Sequence, residues 1–131
     1  MKRAIALTLL VACCLTICGC GGQQHYGLSD DRYVLVEDGQ PNEFVDIVFE
    51  MDDEYWFVFS YDGFSSYRPM GTFTIDDGTV TCVTVDGEHT YIFEIVDNDT
   101  LRFVQEGSAE LRTLENKIAA ADGAIFKRTE D

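Results

Sequence analysis

Short runs of alternating apolar and polar residues, separated by turn signals about every ten residues, dominate the chain from residue 33 onward. The segment from Tyr55 to Tyr61 shows the pattern most clearly, because an aromatic residue at every second position alternates with Trp56 and Val58. A period of two places successive side chains on opposite faces of a strand. The sequence therefore predicts an all-β domain of short strands.

Eight such strands are predicted, and Asp-Gly pairs at 38–39, 77–78 and 86–87 mark turns between them. We expect a small antiparallel barrel, a lipocalin-like meander, because closure removes exposed sheet edges. A two-sheet β-sandwich is the alternative. The predicted strands are Tyr33–Val36 (ended by Asp38-Gly39 and Pro41), Phe44–Met51, Tyr55–Tyr61, Gly71–Ile75, Thr79–Val85, His89–Val96, Thr100–Val104 and Ala124–Lys127.

One segment near the C-terminus departs from the period of two. Between Ala109 and Ala121, apolar residues fall at spacings of three, four and three, which is typical of one helix face. Ser108 is a suitable N-cap, and Gly123 is a suitable stop. The sequence therefore predicts one short helix, with its apolar face formed by Leu111, Leu114, Ile118 and Ala121.

The N-terminus has the pattern of a secretory signal peptide. Lys2 and Arg3 precede an uncharged run that ends at Cys18. This run is shorter than the ~20 residues that a transmembrane helix needs, and no basic cluster follows it. We expect a cleaved leader over residues 1–19, with a transmembrane anchor as the alternative.

The end of this leader, Ile17-Cys18-Gly19-Cys20, resembles the lipobox of bacterial lipoproteins. The resemblance implies cleavage between Gly19 and Cys20 and acylation of Cys20, for example with palmitate. A lipidated cysteine and flexible tether would then cover residues 20–30, and one β-domain would cover residues 31–131. This predicts a lipid-anchored protein on the extracytoplasmic face of the cell membrane. An ordinary secreted protein is the alternative, and the envelope type stays open.

The chain is strongly acidic, with 24 acidic and nine basic residues among 131 and a formal charge of −15. Loss of Lys2 and Arg3 with the leader brings the charge to −17. Such a surface excludes nucleic acid as a partner, and it favours a partner that is basic or bridged by divalent cations. Outside the leader and Cys20, Cys82 is the one remaining cysteine, so we expect a buried, inert thiol and no internal disulfide.

A family resemblance adds to this interpretation. The segment from Phe64 to Gly78 resembles a recurring part of small extracytoplasmic β-domains of clostridia and other Firmicutes, and later segments fit the same pattern. Domains of this kind occur as free lipoproteins and behind membrane peptidases of the β-lactam-sensing antirepressor type. The resemblance implies a cell-surface module without catalytic residues. It covers roughly residues 55–127, and the later segments are Tyr91–Ile95, Asp99–Phe103 and Asp122–Lys127.

Reactive groups are few and scattered. His25 lies in the predicted tether and His89 at a strand start, without metal-ligand spacing, so we expect neither a metal nor a cofactor. Asp97-Asn98-Asp99 is interpreted as a hairpin turn, because it lacks the later residues of a calcium loop. An envelope hydrolase is kept as a minor alternative without assigned catalytic residues.

The most distinctive local feature is the aromatic loop, residues 61–70, between two predicted strands. It is either a lip that contacts a ligand or partner, or a cap in which Phe64, Tyr67 and Met70 close the barrel. The leading functional hypothesis is a non-enzymatic interaction or structural module, and the alternative is a carrier of a small apolar ligand. Oligomeric state stays open. The candidate contact residues are Tyr61, Phe64, Tyr67, Arg68 and Met70.

Overall fold

The computed structural model describes residues 27–129 of the chain, which form ten β-strands joined by turns. The strands are β1 (Arg32–Glu37), β2 (Gln40–Met51), β3 (Tyr55–Ser60), β4 (Met70–Asp76), β5 (Thr79–Thr84), β6 (Thr90–Asp97), β7 (Thr100–Val104), β8 (Leu111–Arg112), β9 (Ile118–Ala120) and β10 (Ile125–Arg128). Eight of them form a closed antiparallel barrel in the order β1-β10-β7-β6-β5-β4-β3-β2, and β8 and β9 form a separate two-stranded sheet. The predicted all-β barrel is confirmed, and the sandwich is not favoured.

Two Asp-Gly pairs make the tightest turns of the barrel. Asp38 and Gly39 have φ of 51° and 76°, and Asp77 and Gly78 have the same pair of values. Positive φ at both central residues is the type I′ geometry that joins adjacent antiparallel strands in two residues. The turn predicted at Asp38-Gly39 and the hairpin predicted at Asp77-Gly78 are both confirmed.

The second strand begins earlier than the predicted Phe44, and Pro41, predicted to lie between the strands, belongs to it. Because Asp38-Gly39 reverses the chain at once, β2 begins at Gln40, and Pro41 lies within it opposite Val36. This part of β2 is paired with β1 on one side, since the ladder with β3 begins only at Asp46. An edge position of this kind tolerates proline.

Aromatic side chains fill the barrel interior. Phe59 lies at the centre, with its ring centroid 5.2 Å from that of Tyr91, 5.8 Å from Phe93 and 6.1 Å from Phe126. Edge-on and tilted packing of this kind gains energy beyond simple burial. Large side chains on the inward faces of the strands are buried, so the interior is a packed core: they include Phe57, Phe59, Phe73, Tyr91, Phe93 and Phe103.

Cys82 belongs to the same core. Its side chain is fully buried on β5, where Cys82 pairs with Phe73 on one side and Tyr91 on the other. Burial raises the pKa of the Cys82 thiol, because the thiolate would lose its hydration. The predicted buried thiol is confirmed.

The helix predicted between Ala109 and Ala121 is wrong. The segment forms the β8–β9 hairpin, closed by a turn in which Asn116 donates its N–H to Thr113 O at 2.9 Å and adopts a φ of 63°. Leu111 is buried, whereas Leu114 and Ile118 are exposed, so the helical stripe matches no buried face.

The predicted helix cap and stop have other roles. Ser108 Oγ accepts a hydrogen bond from Ile92 N–H and donates one to Val104 O. These two bonds link β6 to β7 at the Ile92–Val104 pair of their ladder. Gly123 has a φ of 82° and donates its N–H to Phe103 O at 2.8 Å, which returns the chain to the barrel.

The connections divide between the two ends of the barrel. Alternating strand direction places the connections 38–39, 61–69, 85–89 and 105–124 at one end, which we call the loop end. The short turns 52–54, 77–78 and 98–99 lie at the opposite end, together with residues 27–31 and residue 129. We call this the N-terminal end. All the long connections are therefore at the end opposite to the point where the chain enters the barrel.

The chain is fixed to the barrel where it enters the N-terminal end. Leu28 is buried in the core, and Ser29 N–H donates to Tyr33 Oη at 3.0 Å. Leu28 and Ser29 fall within the range predicted as a tether, whereas residues 20–26 of that range lie outside the described residues.

Candidate functional site

The aromatic loop lies at the loop end, and its side chains have two different environments. The Tyr61 ring packs onto the core, with its centroid 5.5 Å from that of Phe59. Phe64 is 88% exposed, and Tyr67, Arg68 and Met70 are exposed as well. Phe64, Tyr67 and Met70 therefore do not cap the barrel, and Tyr61 is the loop aromatic that packs against its end.

Asp62 holds the loop in place through both carboxylate oxygens. Oδ1 accepts a hydrogen bond from Phe64 N–H at 3.0 Å, which is the local turn that aspartate commonly forms. Oδ2 accepts one from Leu114 N–H at 2.7 Å, across a separation of 52 residues. One side chain thus connects the aromatic loop to the tip of the β8–β9 hairpin.

Phe44 is a third component of this region, which sequence reasoning missed. The register between β1 and β2 shifts between Val34 and Leu35, which leaves residues 43–45 bulged from the ladder. Phe44 is 70% exposed and lies over Gly63, where an added Cβ would come within 2.7 Å of Phe44 Cδ1. The sequence did carry a signal, because Phe44 is out of phase with the inward-facing Val45 and Ile47.

A groove opens between these three elements. It has a volume of about 330 Å³ and lies between the β2 bulge, the aromatic loop and the β8–β9 hairpin. A smaller hollow of about 180 Å³ lies beside the Asp62–Leu114 contact and includes Tyr67 and Arg112. The larger groove is mostly apolar and is lined by Phe44, Val45, Phe64, Ile118 and Ala119, together with polar residues that include Glu37, Asn42 and Lys117.

Exposed apolar side chains concentrate at the loop end. Of the ten large apolar residues that are exposed in the described part of the chain, seven lie at the loop end. Clustered apolar exposure on a folded domain is typical of an interaction surface, whereas isolated exposed residues are ordinary. The seven are Phe44, Phe64, Tyr67, Met70, Val85, Leu114 and Ile118.

Charged groups around the groove are mainly acidic. Glu37, Asp62 and Glu115 line it with a single basic residue, Lys117, whose Nζ lies 3.0 Å from Glu115 Oε2. Glu37 Oε2 accepts a hydrogen bond from Asn42 Nδ2 at 3.1 Å. The groove therefore combines an apolar floor with a negative rim.

A second polar corner lies beside the groove. Burial raises the pKa of the Tyr91 phenol, and the neighbouring Tyr61 adds to this effect. Thr84 Oγ1 donates to Asp86 Oδ1 at 2.6 Å, which lowers the pKa of the Asp86 carboxyl. Tyr91 belongs to the core, so the exposed Asp86 carboxylate is the group of this corner that presents a charge to solvent.

The remaining candidate groups are dispersed. His89 lies in the β5–β6 connection, and Asp97 Oδ1 accepts a hydrogen bond from Asp99 N–H in the hairpin turn predicted there. Within residues 27–129, no three carboxylate, imidazole or thiol side chains are grouped closely enough to hold a metal ion. The same residues include no helix of the length and apolarity required to cross a bilayer. Gly19, Cys20 and His25 lie outside the described residues.

Comparisons with protein-family models, curated proteins and solved structures found no match to this chain.

Proposed function

We propose that this chain is a bacterial lipoprotein, anchored through acylated Cys20 on the extracytoplasmic face of the cell membrane. The support is the sequence of the leader and of Ile17-Cys18-Gly19-Cys20, which has small residues before the cysteine that would accept the lipid. The resemblance to clostridial extracytoplasmic β-domains points to the same location. Several acyl chains would hold the protein on the membrane without spanning it.

We further propose that the barrel is a non-enzymatic binding module whose loop end contacts a partner. The observation that carries this proposal is the concentration of exposed apolar side chains at the end opposite to residue 27. An N-terminal lipid would direct the N-terminal end of the barrel towards the membrane. The groove and Phe64 would then face outward, where a partner has access.

The anchor is tested by two matched substitutions, Cys20→Ser and Cys18→Ser. In a bacterial host, we expect the unchanged chain and the Cys18→Ser variant to be found in the membrane fraction, with an intact mass that shows cleavage before Cys20 and added acyl chains. Cys20→Ser should lose the acyl mass. An acylated Cys20→Ser variant, or an unacylated unchanged chain, would contradict the proposed anchor.

A carrier of a small apolar ligand is the second candidate. The groove of about 330 Å³ favours it, because this volume falls in the range of small-molecule sites. The ligand would lie at the barrel mouth, since aromatic side chains fill the interior. Native mass spectrometry of the chain purified from its host would show a bound small molecule if this candidate is correct, and a mass of protein and anchor alone if it is not.

A further inference from the structure

We propose that the loop-end groove binds a cationic amphipathic peptide segment, in which basic residues accompany aliphatic or aromatic ones. This inference rests on the proposed binding role of the loop end and names the chemistry of its partner. Two properties of the surface support it independently, namely its charge and the extent of its apolar area.

The negative charge of the loop end favours a basic partner. With the adjoining ends of β1 and β2 included, residues 37–45, 61–69, 85–89 and 105–124 contain ten acidic residues and three basic ones, a formal charge of −7. Two of the basic residues are paired with acidic neighbours, because Arg112 Nε lies 2.6 Å from Glu110 Oε2 and Lys117 Nζ lies 3.0 Å from Glu115 Oε2. An approaching lysine or arginine therefore meets a negative field, which accelerates association and favours basic partners.

The apolar lining of the groove favours a partner that also carries hydrophobic side chains. Phe44 and Phe64 both line the groove, the Phe44 ring lies against Gly63, and Ile118 lines the hairpin side. Exposed aromatic residues beside a concave apolar floor are typical anchor points of protein interfaces. We expect aliphatic or aromatic side chains of the peptide to enter the groove, while its basic residues face Glu37 at the edge of the groove.

The extent of the exposed apolar surface favours a peptide over a small molecule. Met70, Val85 and Leu114 are exposed at the loop end, but none of them lines the groove of about 330 Å³. A ligand confined to that groove would leave these side chains in water. The negative charge also disfavours anionic lipid and nucleic acid, which would be repelled.

The test titrates the full chain, held in phosphatidylcholine nanodiscs, into short fluorescent peptides and follows their anisotropy. The probe alternates lysine with leucine. One control peptide carries glutamate in place of lysine, another carries serine in place of leucine, and empty nanodiscs are subtracted. We expect saturable binding of the lysine–leucine peptide alone, and weaker binding as salt increases.

Substitutions then locate the site. Phe44→Ser and Phe64→Ser should each weaken binding by about fivefold or more, since both rings flank the groove and are exposed. Ile75→Ser changes an exposed apolar residue at the N-terminal end and should leave the affinity unchanged. Unfolding curves of the variants verify that each remains folded.

Four results would overturn the inference: no binding of the lysine–leucine peptide, equal binding of the lysine–serine peptide, equal weakening by Ile75→Ser, or no weakening by either phenylalanine variant. Failure of the lipid anchor would be seen separately in the mass of the Cys18 and Cys20 variants. The two proposals can therefore fail independently.

Discussion

The contact between Asp62 and the β8–β9 hairpin is predicted to organise the groove. Its carboxylate accepts one hydrogen bond from Phe64 N–H at 3.0 Å and another from Leu114 N–H at 2.7 Å. At a partly exposed site each bond contributes about 0.5–1.5 kcal/mol. Asp62→Ala should therefore lower the free energy of unfolding by about 1–3 kcal/mol.

Asp62→Asn provides a graded comparison. Its amide oxygen can keep one acceptor role, but its NH₂ group cannot accept the second bond, so we expect about half of the loss. Asp53→Ala, in an exposed turn at the N-terminal end, is the matched control and should change little.

Amide hydrogen exchange by NMR measures the local effect. Asp62→Ala should accelerate exchange at Leu114 and Phe64 by about tenfold relative to the barrel strands, because the hairpin tip loses its contact with the loop. Unchanged exchange at Leu114 in a folded Asp62→Ala variant would refute the assigned role of this carboxylate.

Three further predictions concern the barrel itself. Phe59→Ala should cost about 3–5 kcal/mol in urea unfolding, because it removes the central ring of the core, whereas Ile75→Ala at an exposed position should cost far less. Gly71→Ala should lower the free energy of unfolding by about 1–3 kcal/mol, because its Cβ would lie 2.0 Å from Val83 O; an unchanged urea midpoint would contradict this close approach. Burial raises the pKa of the Cys82 thiol, so above about pH 8.5 the unfolded chain releases a proton that the folded chain retains, and the free energy of unfolding decreases as pH rises. Between pH 8 and pH 10 the free energy of unfolding should therefore decrease by about 2 kcal/mol more in the unchanged chain than in Cys82→Ala. An equal decrease in the two chains would refute the shift.

The strands and their closure into a barrel could be predicted from local patterns. Alternation from Tyr55 to Tyr61 identified β3, and the Asp-Gly pairs identified turns that need positive φ. These signals are local because side-chain period and turn geometry are set by neighbouring residues. Closure followed from the number of strands and the need to pair sheet edges.

The β8–β9 hairpin could not be predicted in this way. A spacing of three, four and three among apolar residues fits one face of a helix, yet Leu114 is 73% exposed and Asn116 has the positive φ of a turn. Positive φ is uncommon for residues other than glycine, and asparagine is among those that adopt it most readily. The residues Leu-Glu-Asn-Lys therefore carried a turn signal that the apolar spacing obscured.

The groove could not be predicted from sequence patterns either. The aromatic loop was identified as a candidate site from its composition, but the groove needs the bulge at residues 43–45 and the tip of a hairpin predicted as a helix. These three segments are distant in sequence and meet through contacts such as Asp62–Leu114. Only the folded chain brings them together.

Energy transfer from tryptophan to a dansyl-labelled lipid tests most directly whether the loop end faces away from the membrane. Trp56 is the single tryptophan of the sequence and lies near the start of β3, at the N-terminal end. Phe64→Trp combined with Trp56→Phe moves the donor along β3 to the loop end, a displacement on the order of one strand length, about 20 Å. For the acylated chain in vesicles, we predict efficient transfer from Trp56 and markedly weaker transfer from position 64. Equal or stronger transfer from position 64 would contradict the proposed orientation.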